Sequence, residues 1–311
     1  MVDWGDGSVL TIVNKGTTLS DGDDFNYKYA ETGEYTIAIY SDQVDETEQQ
    51  IPKINFWNNR DNNSNSSKLR LIGTPLLNTG TEDFSDCFRG CSTLENIPEG
   101  LFDKNINVTS FGYCFQGCKK LSNIPIGLFD RNTKVTDFKY CFEVCFNLTS
   151  IPTGLFDKNT NVTSFWACFQ GCSTLESIPE RLFDKNIEVE GFRECFSGCT
   201  NLKEVPEGLF NNNKKATNFM SCFSRCSNAT LNKNIFSNEG STDRFSGMNM
   251  LFNYCFQYAG KDSTNPGEAP ELWKYERGGS TWNITGCFDN AKATNLTLDN
   301  EYNTEWGTPL N

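Results

Sequence analysis

Apolar residues recur along residues 84–226 in one phrase, F-x-x-C-F-x-x-C, written six times. The copies open at Phe84, Phe111, Phe138, Phe165, Phe192 and Phe219, each 27 residues after the last. Within a copy, Phe84, Cys87, Phe88 and Cys91 fall at offsets 0, 3, 4 and 7, the stripe of an α-helix. Gly90, Gly117, Gly171 and Gly198 precede the second cysteine and would end a short helix. Val144 and Arg225 take that place in the other two copies. Leu94-x-x-Ile97-Pro98 follows and recurs through Leu202-x-x-Val205-Pro206, which predicts a short strand stopped by proline. Gly100 to Asn105 then reads as a turn, and Val108-Thr109-Ser110 leads into the next copy. Asn105, Asn132, Asn159, Asn186 and Asn213 share one column. Such a column predicts an asparagine ladder bonded to the turn backbones of successive coils. A fixed period of this length marks stacked supersecondary units. The predicted fold is an α/β repeat solenoid with a parallel sheet, one short helix and one short strand per 27-residue coil.

The rhythm loosens after Cys226. Phe252/Cys255/Phe256 restores it 33 residues after Cys222, and Ile284/Cys287/Phe288 after 32 more. In these two copies Ala259 and Ala291 replace the second cysteine. Residues 1–50 carry a different period. Val2 to Ser8 reads as a strand entering a glycine-rich turn, and Gly33-Glu34-Tyr35-Thr36-Ile37-Ala38-Ile39-Tyr40 as a turn and an alternating strand. The expected division is a small all-β module at 1–50, a linker and N-terminal cap at 51–80, the solenoid at 81–260, and a degenerate repeat with C-terminal cap at 261–311. Ile54 to Trp57 and Leu69 to Ile72 are strand candidates within the cap.

The combined block F-x-x-C-F-x-G-C-x-x-L with an I-P strand end resembles the BspA-like leucine-rich-repeat surface proteins over about residues 69–260. Trp4-Gly5-Asp6-Gly7 with the later Tyr29-x-x-x-Gly33-x-Tyr35-Thr36-Ile37 resembles part of a polycystic-kidney-disease (PKD), immunoglobulin-like module. About fifty residues are present, where such a sandwich has ~100. The resemblance implies a leucine-rich-repeat-like solenoid on a cell surface or a phage particle, engaging a host protein or glycan.

Composition narrows the chemistry. The net charge is −13, which argues against nucleic acid and anionic membrane surfaces as partners. No apolar run reaches membrane-spanning length, and no signal peptide or lipid anchor is recognisable. The chain has no histidine, so neither a Ser-His-Asp nor a Cys-His arrangement can form. No phosphate or dinucleotide fingerprint appears. Asp103, Asp130, Asp157 and Asp184 recur at turns and read as solvated turn residues rather than an acid–base pair. The expectation is therefore no catalytic residue and no cofactor. The cysteines are spaced C-x-x-x-C, unlike zinc or iron–sulfur knuckles. Replacement of the second one by alanine favours packing as small buried hydrophobes over disulfides between coils, and either over metal. Asp21, Asp23 and Asp24 with Asp6 lack the spacing of a Ca²⁺ loop, so no metal site is expected.

The column one or two residues before the first cysteine varies and should face outward. It contains Tyr113, Tyr140, Trp166 and Tyr254, the candidate partner-binding residues, whose plainer role is to cover neighbouring coils. The favoured reading is a non-enzymatic recognition or adhesion protein binding a protein or carbohydrate through a solenoid face. The alternatives are a phage virion component (tail fibre or capsid decoration), with homo-oligomer or virion assembly, and the non-catalytic part of a larger surface enzyme or adhesin.

Overall fold

The fold is described from a computed structural model, covering residues 2–3, 38–39, 69–73, 75–76, 80–236, 244–297, 302 and 304–310. The chain divides into two compact units, Met1–Ile51 and Pro52–Asn311. In the first, strand β1 (Val2–Asp3) pairs antiparallel with β2 (Ala38–Ile39), setting Val2 opposite Ile39. The rest of the PKD-like motif, the Asp6 and Asp21–Asp24 acidic loop, and the Ile54–Trp57 strand candidate lie outside the described residues.

The second unit is a stack of coils around one continuous core. Phenylalanines from three columns fill it: those of Phe84, Phe88 and Phe102, all fully buried. In the Phe88 column each ring stacks on its counterpart one coil on, with centroids 5.3 Å apart for Phe88–Phe115 and 5.4 Å for Phe115–Phe142. The Phe102 column lies tilted between the other two; its Phe129 ring is 4.7 Å from Phe111 and 4.8 Å from Phe138. Tilted and offset contacts of this kind add to the burial gain of each ring.

The helix predicted for each coil is replaced by two consecutive turns. Cys87 N–H donates to Phe84 O at 3.3 Å and Cys91 N–H to Phe88 O at 3.1 Å, both three residues back. The third residue of each turn has positive φ, 61° at Asp86 and 71° at Gly90, as a type II turn requires. Alternate N–H groups reach sideways instead: Phe84 to Ser110 O at 2.9 Å, Asp86 to Gly112 O at 2.9 Å, Phe88 to Cys114 O at 2.8 Å and Gly90 to Gln116 O at 2.6 Å. Ser85 N–H is taken by Asp83 Oδ1 at 2.7 Å. The backbone donors of the block are thus satisfied without a helix. The same local acceptor returns as Asp137 for Lys139 and Asn218 for Met220.

The strand of each coil is reduced to single parallel bridges. One ladder runs through Asp83, Ser110, Asp137, Ser164, Gly191, Asn218 and Leu251, just before the first phenylalanine of each coil. It continues where β3 (Met250–Leu251) pairs parallel with β4 (Trp282–Asn283). At the predicted L-x-x-I strand, Ser150 bridges Ser177 and Glu204 bridges Thr230. Leu69–Ile72 is not a strand, although Arg70 O accepts from Glu95 N–H of the first coil at 3.1 Å.

The asparagine ladder is present. Nδ2 of Asn159 donates to Asn132 O at 3.0 Å and Phe129 O at 3.1 Å, and Asn186 and Asn213 repeat the pair of bonds. The guanidinium of Arg244 ends it, reaching Phe210 O at 2.8 Å and Asn213 O at 3.3 Å. Burial lowers that guanidinium to about 10. All fourteen cysteines are buried thiols. From Cys118 to Cys226, those of the second column donate Sγ–H to a phenylalanine carbonyl of the preceding coil, as Cys172 does to Phe142 O at 3.1 Å. At the C-terminal end Trp306, fully buried, presents its carbonyl to Phe288 N–H at 2.8 Å.

Candidate functional site

The double turns place one residue per coil at the first positive-φ position, outward except at the buried Ala167 and Gly286. That column reads Asp86, Tyr113, Tyr140, Ala167, Glu194, Ser221, Tyr254 and Gly286. Left-handed backbone is uncommon for residues with a Cβ, and bulky residues are outliers there. Tyrosine nonetheless occupies three of the eight, at φ 59°, 57° and 57° for Tyr113, Tyr140 and Tyr254.

Three of the four predicted residues come together. Tyr113 and Tyr140 stack at 4.6 Å with planes 7° apart, and Trp166 lies 5.1 Å from Tyr140, tilted by 50°. Trp166 is one residue earlier in its own coil, where Ala167 holds the positive-φ place, yet its indole extends the row. The row ends in two cations. The Arg89 guanidinium lies over Tyr113 at 5.0 Å and that of Arg193 over Trp166 at 4.6 Å. The stacked rings are half-buried. Their faces are largely taken by one another and by arginine, so they present edges outward. Burial chiefly, then the Tyr113, Glu194 and Glu143 charges, pushes the Tyr140 hydroxyl up to about 12, so it remains a neutral donor.

A second column runs beside the row, two residues before the second cysteine or the alanine that replaces it: Arg89, Gln116, Glu143, Gln170, Ser197, Ser224, Gln257 and Asp289. Gln116 Nε2 donates to Glu143. Burial raises the Glu143 carboxyl above the ordinary range, with the Gln116 hydrogen bond and the Arg89 charge pulling against it.

Tyr254 stands apart, three coils beyond Trp166, and is exposed. Between it and the end of the row the outward column is Glu194 and Ser221, and an open groove of about 550 Å³ results. Ser197, Ser221 and Ser224 line it together with Gln170 and Glu194, and Arg225, Tyr254 and Gln257 complete it. Glu194 is held by Arg193 at 2.9 Å. Sequence reasoning named Tyr254 but missed the groove, because the gap between rings is written as ordinary polar residues, Glu194 and Ser221, in a variable column.

The Asp103, Asp130, Asp157 and Asp184 column lies at a different turn, each beside the residue three before it. Arg181 pairs with Asp184 at 2.7 Å, and a Cβ on Gly100 would meet Asp103 Oδ2 at 2.9 Å. Among the described residues no group of three or more His, Cys, Asp or Glu is gathered as metal ligands would be, and no helix is long and apolar enough to cross a membrane.

No family profile and no curated protein sequence matches the chain. Among solved structures its neighbours are leucine-rich-repeat proteins. The Toll–Spatzle complex of Drosophila aligns over 50% of this chain and 24% of that one, at 15% identity and TM-score 0.22. A leucine-rich-repeat protein of T. pallidum aligns over 42% of this chain and 69% of that one, at 18% identity and TM-score 0.21. One from Eubacterium ventriosum aligns over 44% and 49%, at 18% identity and TM-score 0.22. The alignment thus spans about a quarter of the Toll-complex chain. The repeat architecture rests on the hydrogen-bonded stack itself.

Proposed function

We propose that the chain is a non-enzymatic recognition scaffold of the BspA-like, leucine-rich-repeat type, exposed outside the cell, which holds a protein or glycan partner on its double-turn face. The observation that carries this reading is the aromatic row. Tyr113 and Tyr140 occupy backbone positions that cost an ordinary residue about 1–2 kcal/mol, although glycine fills the equivalent position of the companion turn in four of the six regular coils. Rings kept at a strained surface site, flanked by arginines, have the composition of a contact surface, where Tyr, Trp and Arg dominate. The domain division given above (β module, cap, solenoid, C-terminal cap) belongs to the same reading.

The test is binding of the intact chain to a panel of immobilised oligosaccharides and extracellular-matrix proteins, beside the variant Tyr113→Asn/Tyr140→Asn. Asparagine tolerates left-handed backbone, so the turn is kept while the rings go. The expected result is a partner held by the parent and lost or sharply weakened in the variant. No partner in the panel, or equal binding by both proteins, would overturn the reading.

The phage-particle alternative draws its support from the cysteines. Fourteen buried thiols suit a chain folded in a reducing compartment before release. Assembly of this chain with purified particle components, insensitive to the tyrosine substitutions, would favour that reading instead.

A further inference from the structure

The groove beside Tyr254 has a chemistry of its own. Its lining is polar, and it mixes hydroxyls that donate and accept (Ser197, Ser221, Ser224) with side-chain amides that do both (Gln170, Gln257). The one aromatic surface is Tyr254. Its ring packs against Gly286 of the next coil, where a Cβ would come within 2.8 Å of two ring carbons. Gly286 therefore leaves the room in which this ring lies, and the ring borders the groove as well. A volume of about 550 Å³ falls within the roughly 300–1,000 Å³ range of ligand pockets.

We infer that this groove binds a short neutral oligosaccharide, with Tyr254 as the stacking platform and the serine and glutamine side chains as partners of the sugar hydroxyls. A sugar ring has an apolar C–H face and a rim of groups that both donate and accept, which is what one tyrosine among hydroxyls and amides complements. A peptide would need apolar recesses for its anchor side chains, and the lining provides none besides the tyrosine. Charge favours a neutral ligand: the lining carries one cation and one carboxylate, Arg225 and Glu194, in a chain of net charge −13. This inference rests on the double-turn face being a recognition surface and names the ligand class for one part of it.

The experiment probes the intact chain with an array of neutral, uronate-containing and sialylated oligosaccharides, alongside the matrix-protein panel. Three variants accompany it: Tyr254→Asn, Ser221→Tyr and Tyr113→Asn/Tyr140→Asn. Ser221→Tyr fills the groove with a ring that the fold already accepts in this column, since Ser221 has φ 53° and the tyrosines 57–59°. Thermal midpoints verify that each variant is folded. The expected result is binding confined to neutral sugars, weakened about tenfold or more by Tyr254→Asn and by Ser221→Tyr. Binding only to acidic sugars, or neutral-sugar binding that ignores both groove variants, would overturn the inference. No sugar binding, alongside protein binding that Tyr113→Asn/Tyr140→Asn abolishes, would overturn this inference and leave the recognition reading standing. Silence in both panels would overturn the two together.

Discussion

Tyr113, Tyr140 and Val144 hold φ values of 59°, 57° and 60°, so the double turn carries strain, which at the second position of the turn pair glycine relieves in Gly90, Gly117 and Gly171 where the third regular coil has Val144. Val144 is β-branched, half-buried and flanked by Gly171, which its Cγ2 approaches. Replacing it by glycine removes roughly 1–2 kcal/mol of left-handed strain and returns about 0.5–1 kcal/mol of backbone entropy to the unfolded chain. Val144→Gly is expected to raise stability by about 1 kcal/mol and the thermal midpoint by about 2–4 °C, read by calorimetry. Glu143 behaves oppositely to a salt-bridged acid. Burial raises its carboxyl in the folded state, so its contribution is most favourable at low pH and is lost as pH rises through the ordinary Glu range to the raised folded value. Glu143→Gln should therefore melt higher than the parent at neutral pH, with the difference fading once pH falls below the unfolded carboxyl range. A pH series of melting curves for the two proteins reads this directly. None of these φ values is visible in the sequence, because a tyrosine in a variable column looks the same whether its backbone is extended or left-handed.

At the level of the element, the columns were legible and the element type was not. Offsets 0, 3, 4 and 7 belong to a helix, but two four-residue turns in tandem generate the same offsets. Phe84-x-x-Cys87 and Phe88-x-x-Cys91 are one turn each. The discriminating signal was the glycine before the second cysteine, read as a helix stop when it marked the third position of a type II turn. The short polar residue before five of the six first phenylalanines, Asp83, Ser110, Asp137, Ser164 or Asn218, accepts the N–H two residues on, but a helix N-cap makes the same bond, so it does not tell the two apart. The asparagine column, by contrast, could be read outright because a buried amide at a turn has few other uses. Its loss should be severe. Asn159→Ala leaves Phe129 O and Asn132 O without their side-chain donor, at a cost of about 1–3 kcal/mol per buried group. Cys172→Ala removes only a weak thiol bond at a place where Ala259 and Ala291 already serve, and should cost about 1 kcal/mol or less. Urea unfolding of the two variants is expected to rank them in that order.

At the scale of the repeat unit, one core cluster runs from Leu76 to Trp306, so each coil is stabilised mainly by its neighbours and opening begins at the ends. The thiols report this. Burial lifts Cys91, Cys172 and Cys226 to about 12 and carries Cys141, Cys145, Cys168, Cys195 and Cys199 well above the ordinary range, so their alkylation at neutral pH requires opening. Under native conditions Cys87, Cys91 and Cys287 are expected to label first and Cys141 to Cys195 last, as followed by peptide mass spectrometry. In denaturant all fourteen should label without prior reduction. The repeat, its period and its core columns were readable from spacing alone. The row of rings and the groove depend on which coil carries Tyr, Ala or Ser at one outward position, and their meaning emerged only once the coils were stacked. The measurement that bears most directly on the recognition surface is the thermal midpoint of Tyr113→Asn/Tyr140→Asn. Stacking of the two rings contributes about 0.5–1.5 kcal/mol and the left-handed strain opposes it by about as much or more. Rings retained for a partner predict a midpoint at or above that of the parent. A fall of more than about 5 °C, roughly 2 kcal/mol on this scale, would show that the rings hold the coils together and would contradict the account.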